Sequence, residues 1–132
     1  MKYLLLFTVI AGFSLNTYAQ TTLSFCAAMR DENCVFNNTK FISSPDSSTA
    51  EITMLVRNAS GLSTSNLNYK LYVLNGKGEE IFLKNIPQKA QAEWVYAWQA
   101  NTFKSPGKYK VRVYNDKEEQ VCSKSFELFD VW

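Results

Sequence analysis

The side chains best suited to chemistry in this sequence are three cysteines, Cys26, Cys34 and Cys122, in a chain of 132 residues without a single histidine. The missing histidine removes the commonest general base, and with it the Ser-His and Cys-His pairs of nucleophilic catalysis. The clustered acids are Asp31-Glu32, Glu79-Glu80 and Glu118-Glu119. All lie in or beside turns, where they read as solvated charges that keep strand ends from aggregating rather than as a glycosidase pair. Gly76 and Gly78 belong to a hairpin, with no helix N-terminus behind them to present amides to a phosphate. The cysteine spacings match no zinc ligand set. No catalytic, cofactor-binding or metal-binding residue is assigned, and the expectation is that the protein is not an enzyme.

What the cysteines can do is crosslink. In an exported protein such thiols oxidise, and an odd count leaves one over. Cys26 with Cys34 is the expected pair, a short loop whose closure stabilises by about 2–3 kcal/mol in the chain-entropy model. The rival pairing, Cys26 with Cys122, would tie the first strand to the last. Cys122 then remains as a structural cysteine, a free thiol with Lys124 nearby in sequence, or the donor of an intermolecular disulfide.

Export is read from the N-terminus. Met1-Lys2 supplies a positive start, Tyr3 to Phe13 is an apolar run, and Ser14 to Ala19 turns polar and ends on a small residue. That is the build of a secretory signal peptide, with cleavage expected between Ala19 and Gln20. The run is shorter than the roughly 20 residues that span a bilayer, so no membrane span is expected after cleavage. Residues 1–19 are therefore assigned to the leader and residues 20–132 to one domain, large enough for its own core. The whole chain carries 14 basic and 12 acidic residues, net +2. Losing Lys2 brings it closer to neutral, which offers no drive toward nucleic acid. Asn37-Asn38-Thr39 and Asn58-Ala59-Ser60 match the N-glycosylation pattern, but the leader has a bacterial look, and they read as chance matches in polar loops.

The elements are short strands between turns, with no internal repeat. Thr21 to Ala27 and Val35 to Ile42 are strand candidates. Ala50, Ile52, Met54 and Val56 alternate with Glu51, Thr53, Leu55 and Arg57, the period of a strand with one buried face. Leu67, Tyr69, Leu71 and Val73 form the next inward set. Asn75-Gly76 makes a hairpin turn, because it accepts the positive φ that tight turns require. Glu80 to Lys84 returns as a short strand that Pro87 ends, since proline cannot donate to the ladder. Tyr109, Val111 and Val113 alternate with basic residues, and Phe126 and Leu128 mark the final strand.

Ser105-Pro106-Gly107-Lys108-Tyr109-Lys110-Val111-Arg112-Val113-Tyr114, followed by Phe126-Glu127-Leu128, resembles the penultimate and last strands of bacterial Ig-like and fibronectin type III-like domains. The resemblance covers the last third of the chain. It implies an all-β protein: an Ig-like antiparallel β-sandwich of about seven strands. It also implies that Tyr109 is a corner tyrosine, bonded to backbone just upstream. Antibody-type domains place a cysteine two residues after that tyrosine. Here the residue is Val111, so the inter-sheet disulfide of true immunoglobulins is absent. A shared fold of this kind carries no function with it.

Two surfaces are candidates for binding. Trp94, Tyr96 and Trp98 recur at alternate positions and share one side of a strand. Two arrangements fit. A core ladder buries them, which the large area of aromatic rings favours. A platform exposes them for sugar stacking, with Val95 and Ala97 turned inward. The second surface follows from the sandwich. With Tyr69, Leu71, Val111 and Val113 inward, Lys70, Tyr72, Lys110, Arg112 and Tyr114 face outward together. That gives either a basic, aromatic-studded face with the acids displaced to the turns, or a plain solvated sheet face. The function expected is an exported binding module whose partner is a protein or an anionic glycan of the cell envelope. The alternative is a structural or accessory subunit of an envelope assembly, linked through Cys122. The expected location is secreted, periplasmic or on the cell surface. The oligomeric state is left open.

Overall fold

The computed structural model describes residues 20–44 and 49–130. The signal-peptide reading of residues 1–19 and the turn at Pro45 to Ser48 lie outside the described residues. The elements are strands throughout: β1 (Thr22–Cys26), β2 (Ala28–Arg30), β3 (Asn33–Val35), β4 (Lys40–Ile42), β5 (Ala50–Arg57), β6 (Asn66–Leu74), β7 (Glu80–Lys89), β8 (Tyr96–Phe103), β9 (Gly107–Tyr114) and β10 (Gln120–Phe129). β2, β3 and β4 have three residues each, and β4 joins the seven longer strands in building the sandwich. One sheet is ordered β1-β5-β8 and the other β4-β10-β9-β6-β7, with a separate β2-β3 hairpin.

The two sheets close on one core. The inward residues of β5 and β6, including Ile52, Met54, Leu67, Tyr69 and Leu71, are buried, as are Val111 and Val113 of β9. Phe126 is the hub at one end. Its ring lies 4.7 Å from Phe25, 6.0 Å from Phe41, 4.8 Å from Phe103 and 5.3 Å from Tyr109, centroid to centroid. Truncating a hub of this kind to alanine costs about 3–5 kcal/mol, because the cavity left behind cannot fully collapse. At the same end the Tyr109 hydroxyl donates to the Ser105 carbonyl, fixing the turn that leads into β9.

The strand expected over Val35 to Ile42 is divided. Phe36 takes φ 55°, and this left-handed residue turns the chain between β3 and β4. Its ring packs edge-on against Phe41 at 5.7 Å. The Glu80 to Lys84 strand is longer than expected and runs straight through Pro87 to Lys89. Proline is tolerated because β7 pairs only with β6 and is an edge strand.

The β2-β3 hairpin is joined to the body by the Cys26–Cys34 disulfide, Cα to Cα 5.4 Å. Its turn is Asp31-Glu32, with φ 50° and 67°, positive at both central residues as a two-residue hairpin of the mirror-image type requires. The hairpin touches β5 and β1. This explains why Thr53 and Leu55, on the side of β5 facing away from the core, are buried along with Ile52, Met54 and Val56.

A local repeat was missed in the sequence. Asn75 Oδ1 accepts from the Lys77 and Glu79 amides at 2.9 and 3.0 Å. Asn115 Oδ1 accepts from the Lys117 and Glu119 amides at 3.0 and 2.9 Å. In each turn the asparagine amide also donates to the glutamate carbonyl, Asn75 to Glu79 at 3.0 Å and Asn115 to Glu119 at 2.9 Å. The β6-β7 and β9-β10 hairpins are thus closed by one turn design, Asn-x-Lys-x-Glu, used twice.

Candidate functional site

β8 pairs antiparallel with β5, setting Tyr96 opposite Arg57, Ala97 opposite Val56 and Trp98 opposite Leu55. Ala97, 3% exposed, points into the core. Alternation then puts Tyr96 and Trp98 on the other side of the strand. Their rings stack, centroids 5.7 Å apart and planes 13° apart. Trp98 is 39% exposed, and so is Trp94, which precedes the strand. The core ladder is therefore not formed: one small residue, Ala97, fills the inward position, and the rings are left at the surface. The platform arrangement differs in one detail. Val95 is not turned inward but exposed, because β8 begins only at Tyr96.

Trp94, Val95, Tyr96, Ala97 and Trp98 line a groove of about 620 Å³ together with Glu93 and Gln88. Gln88 comes from β7 of the opposite sheet, so the groove opens where the edges of the two sheets meet. Its amide is fixed at both ends. Oε1 accepts from the buried Tyr69 hydroxyl at 2.6 Å, and Nε2 donates to the Trp98 carbonyl at 2.9 Å. Burial pushes the Tyr69 phenol up, and nearby Cys122 adds to the effect. On the hairpin side, the influence of the Glu32 carboxylate is the largest cause holding the Tyr96 phenol above its ordinary value, ahead of desolvation, while Arg57 opposes the rise.

The second candidate surface is the outer face of the five-stranded sheet. Register places Lys70 opposite Arg112 and Tyr72 opposite Lys110, with Tyr114 opposite Asn68. The five candidates Lys70, Tyr72, Lys110, Arg112 and Tyr114 therefore share a face, all half-buried. The acids are not all displaced to the turns. Glu80, the first residue of β7, lies on the same face within 3.6 Å of Lys110 Nζ and 2.7 Å of Arg112 Nη2. Arg112 Nη1 donates to Gln120 at 2.8 Å. Lys70 Nζ stands 4.6 Å from the centre of the Tyr114 ring. The cations of this face are engaged within the molecule. The Glu80 carboxyl is held below its ordinary value, chiefly by its hydrogen bond from Arg112.

Cys122 is not in a disulfide. It sits opposite buried Val113 and packs against the core, and burial pushes its thiol up to about 12. The neighbour in sequence, Lys124, does not activate it. Three contributors went unassigned in the sequence: Gln88, Glu32 and Glu80. Gln88 lay beyond the proline read as a strand end. Glu32 and Glu80 were acids of turns, and nothing local marks which distant partner a turn acid meets.

No protein-family model matches the chain, and no curated protein matches it in sequence. Among solved structures it is similar to an immunoglobulin-like protein from Pseudomonas aeruginosa, with 12% identity and a TM-score of 0.53 over 80% of this chain and 90% of that one. It is also similar to BslA, a bacterial hydrophobin, with 14% identity and a TM-score of 0.50 over 84% and 99% of the two chains. These likenesses establish the fold. The chain is an Ig-like β-sandwich, an architecture that serves binding and structural modules and is compatible, like the disulfide, with an extracellular location.

Proposed function

We propose that this chain is an exported, non-catalytic module that binds an uncharged glycan in the groove between β7 and β8. The observation that carries the reading is the exposure of Trp94 and Trp98 beside Tyr96 in a groove whose polar lining is Gln88 and Glu93. Aromatic faces stack on sugar rings, and fixed amide and carboxylate groups hydrogen-bond hydroxyls. The lining holds an acid and no cation, which favours an uncharged ligand over an anionic one.

A peptide added as an extra strand is the less well supported partner. At the other edge of the same sheet, β4 pairs with Glu127 to Phe129, and the Glu127 amide donates to the Thr39 carbonyl at 2.8 Å. The corresponding place on β7 is Pro87, which has no amide to donate. The groove must hold its ligand by side chains. A covalently linked envelope subunit finds no support in the position of Cys122, whose thiol is turned to the core.

The test is tryptophan fluorescence of the mature protein titrated with chitohexaose, cellohexaose and maltohexaose. At least one should give a saturable change that Trp98→Ala abolishes while the melting temperature holds. No response to any of the three overturns the proposal.

A further inference from the structure

Gln88 ties the outer edges of the two sheets together at the groove. It belongs to β7, the edge strand of the five-stranded sheet, and bonds the backbone of β8, an edge strand of the three-stranded one. Register sets it opposite buried Leu67, which puts its side chain on the core side of β7. Tyr69, two residues further along β6 and on the same side, reaches it diagonally at 2.6 Å, hydroxyl to Oε1.

Chemistry fixes which way round the amide lies. The Trp98 carbonyl can only accept, so the nitrogen of Gln88 must face it, at 2.9 Å. The oxygen is then left to face Tyr69, whose hydroxyl must donate. An amide held at one end alone could turn over and exchange its donor with its acceptor. Held at both ends, it presents a set pattern. A primary amide has two N–H groups and two oxygen lone pairs. Trp98 and Tyr69 take one of each, and one of each remains on a side chain that lines the groove.

A secondary amide is the complement of that remainder: a carbonyl to accept from the N–H, and an N–H to donate to the oxygen. In an acetamido group it also carries a methyl. The rest of the lining suits that methyl, because apart from Glu93 it is Val95, Ala97 and the three aromatic rings. A hydroxyl brings no methyl, and it must give up its rotation to make either bond.

We propose that Gln88 is the specificity-determining residue of the groove, selecting N-acetylated over unsubstituted sugars, and that Tyr69 is its positioning residue. Tyr69 is fully buried and does not line the groove, so it acts only through Gln88. The inference rests on the glycan reading for its ligand, while the hold of Tyr69 on the amide is measured without one.

Chitohexaose and cellohexaose are the probes, because they share ring, linkage and length and differ in having an acetamido or a hydroxyl group at one ring position. In tryptophan fluorescence titrations the wild type should bind chitohexaose about fivefold to tenfold more tightly than cellohexaose. In Tyr69→Phe, and in the nearly isosteric Gln88→Met, that ratio should fall toward unity. A general loosening of the structure would weaken both saccharides and leave the ratio. The Gln88 side-chain amide, identified by NMR as the signal pair missing from Gln88→Met, should shift and exchange faster with solvent in Tyr69→Phe. Equal affinities in the wild type, or a preference for cellohexaose, overturn the selection and leave the glycan reading standing. Binding of neither these two nor maltohexaose removes both. An unmoved Gln88 amide in Tyr69→Phe, or a ratio that survives that change, overturns the role of Tyr69.

Discussion

Arg112 grips Glu80 with two prongs, Nε to Oε1 at 3.0 Å and Nη2 to Oε2 at 2.7 Å, reaching across β6 with its guanidinium 5.8 Å from the Tyr72 ring. Parallel two-point contacts of this kind fix geometry as well as charge. The pair is solvated, so its main effect is on the field of the sheet face rather than on stability.

Glu80→Gln should therefore release Lys110 and Arg112 while leaving the melting temperature near that of the wild type. Retention on heparin should rise, most at low salt, where screening is weak. The wild-type carboxyl sits below its ordinary value. The small stability it contributes is present above the ordinary carboxylate range and fades as pH falls through the lowered value. Unchanged heparin retention in Glu80→Gln would show that the face is only solvated sheet.

Tyr109 and Tyr114 offer a paired test of the corner. The Tyr109 hydroxyl is bonded to the Ser105 carbonyl, and the ring is buried. Tyr109→Phe should cost about 1 kcal/mol, or about 4 °C in melting temperature for a domain of this size. Tyr114 meets Lys70 through its ring, so Tyr114→Phe should change little. Calorimetry of the two variants decides, and equal shifts would remove the special role of Tyr109.

Cys122 predicts an alkaline weakness. Burial raises its thiol from 9.0 to about 12, so the folded state keeps a proton that the unfolded state gives up. The contribution is complete below pH 9 and is lost as pH rises through 9 to 12. Denaturant unfolding should show stability falling over that window, with a shallower fall in Cys122→Ala. Tyr69 is raised in the same direction and leaves a residual slope. The native thiol should also react slowly with a disulfide reagent at neutral pH and quickly once unfolded.

Glu118 and Gly78 hold equivalent places in the two matched turns, with φ 61° and 80°. Only the glycine is at ease there. Glu118→Gly should stabilise by about 0.5 kcal/mol, relief of left-handed strain less the added chain entropy. Gly78→Ala should destabilise, although a Cβ at Gly78 would meet nothing within 4 Å. A stabilised Gly78→Ala in thermal unfolding would refute the equivalence.

Where one face of a strand is plainly apolar, the sequence was legible. Tyr109, Val111 and Val113 alternate with polar residues, and their burial followed from period two alone. At Trp94 to Trp98 both parities are apolar, so alternation could not say which set turns inward; the small Ala97 went in and the rings stayed out. Gln88 was hidden because the meaning of Pro87 depends on whether its strand is central or at an edge. Glu80 with Arg112 needed the order of three strands, which no local pattern carries. The paired Asn-x-Lys-x-Glu turns were visible at 75–79 and 115–119, and only direct comparison of the two segments would have found them.

Those two turns close opposite ends of the sheet, so β6-β7 and β9-β10 are related by a local dyad through the Leu71–Val111 pair. The register obeys it. Tyr69 faces Val113 as Tyr109 faces Val73, and Lys70 faces Arg112 as Lys110 faces Tyr72. Outward from the axis, Leu71 meets Lys84 as Val111 meets Lys124, and Tyr69 meets Ile86 as Tyr109 meets Phe126. Lys70 and Lys110 are thus one position written twice. The symmetry ends at the rims. Beyond β10 lies β4, whose Phe41 pairs with Leu128 and enters the core, whereas the mate of Leu128 under the dyad is Gln88, beyond which β7 has no such strand. The aromatic groove is the half of the dyad left unfilled.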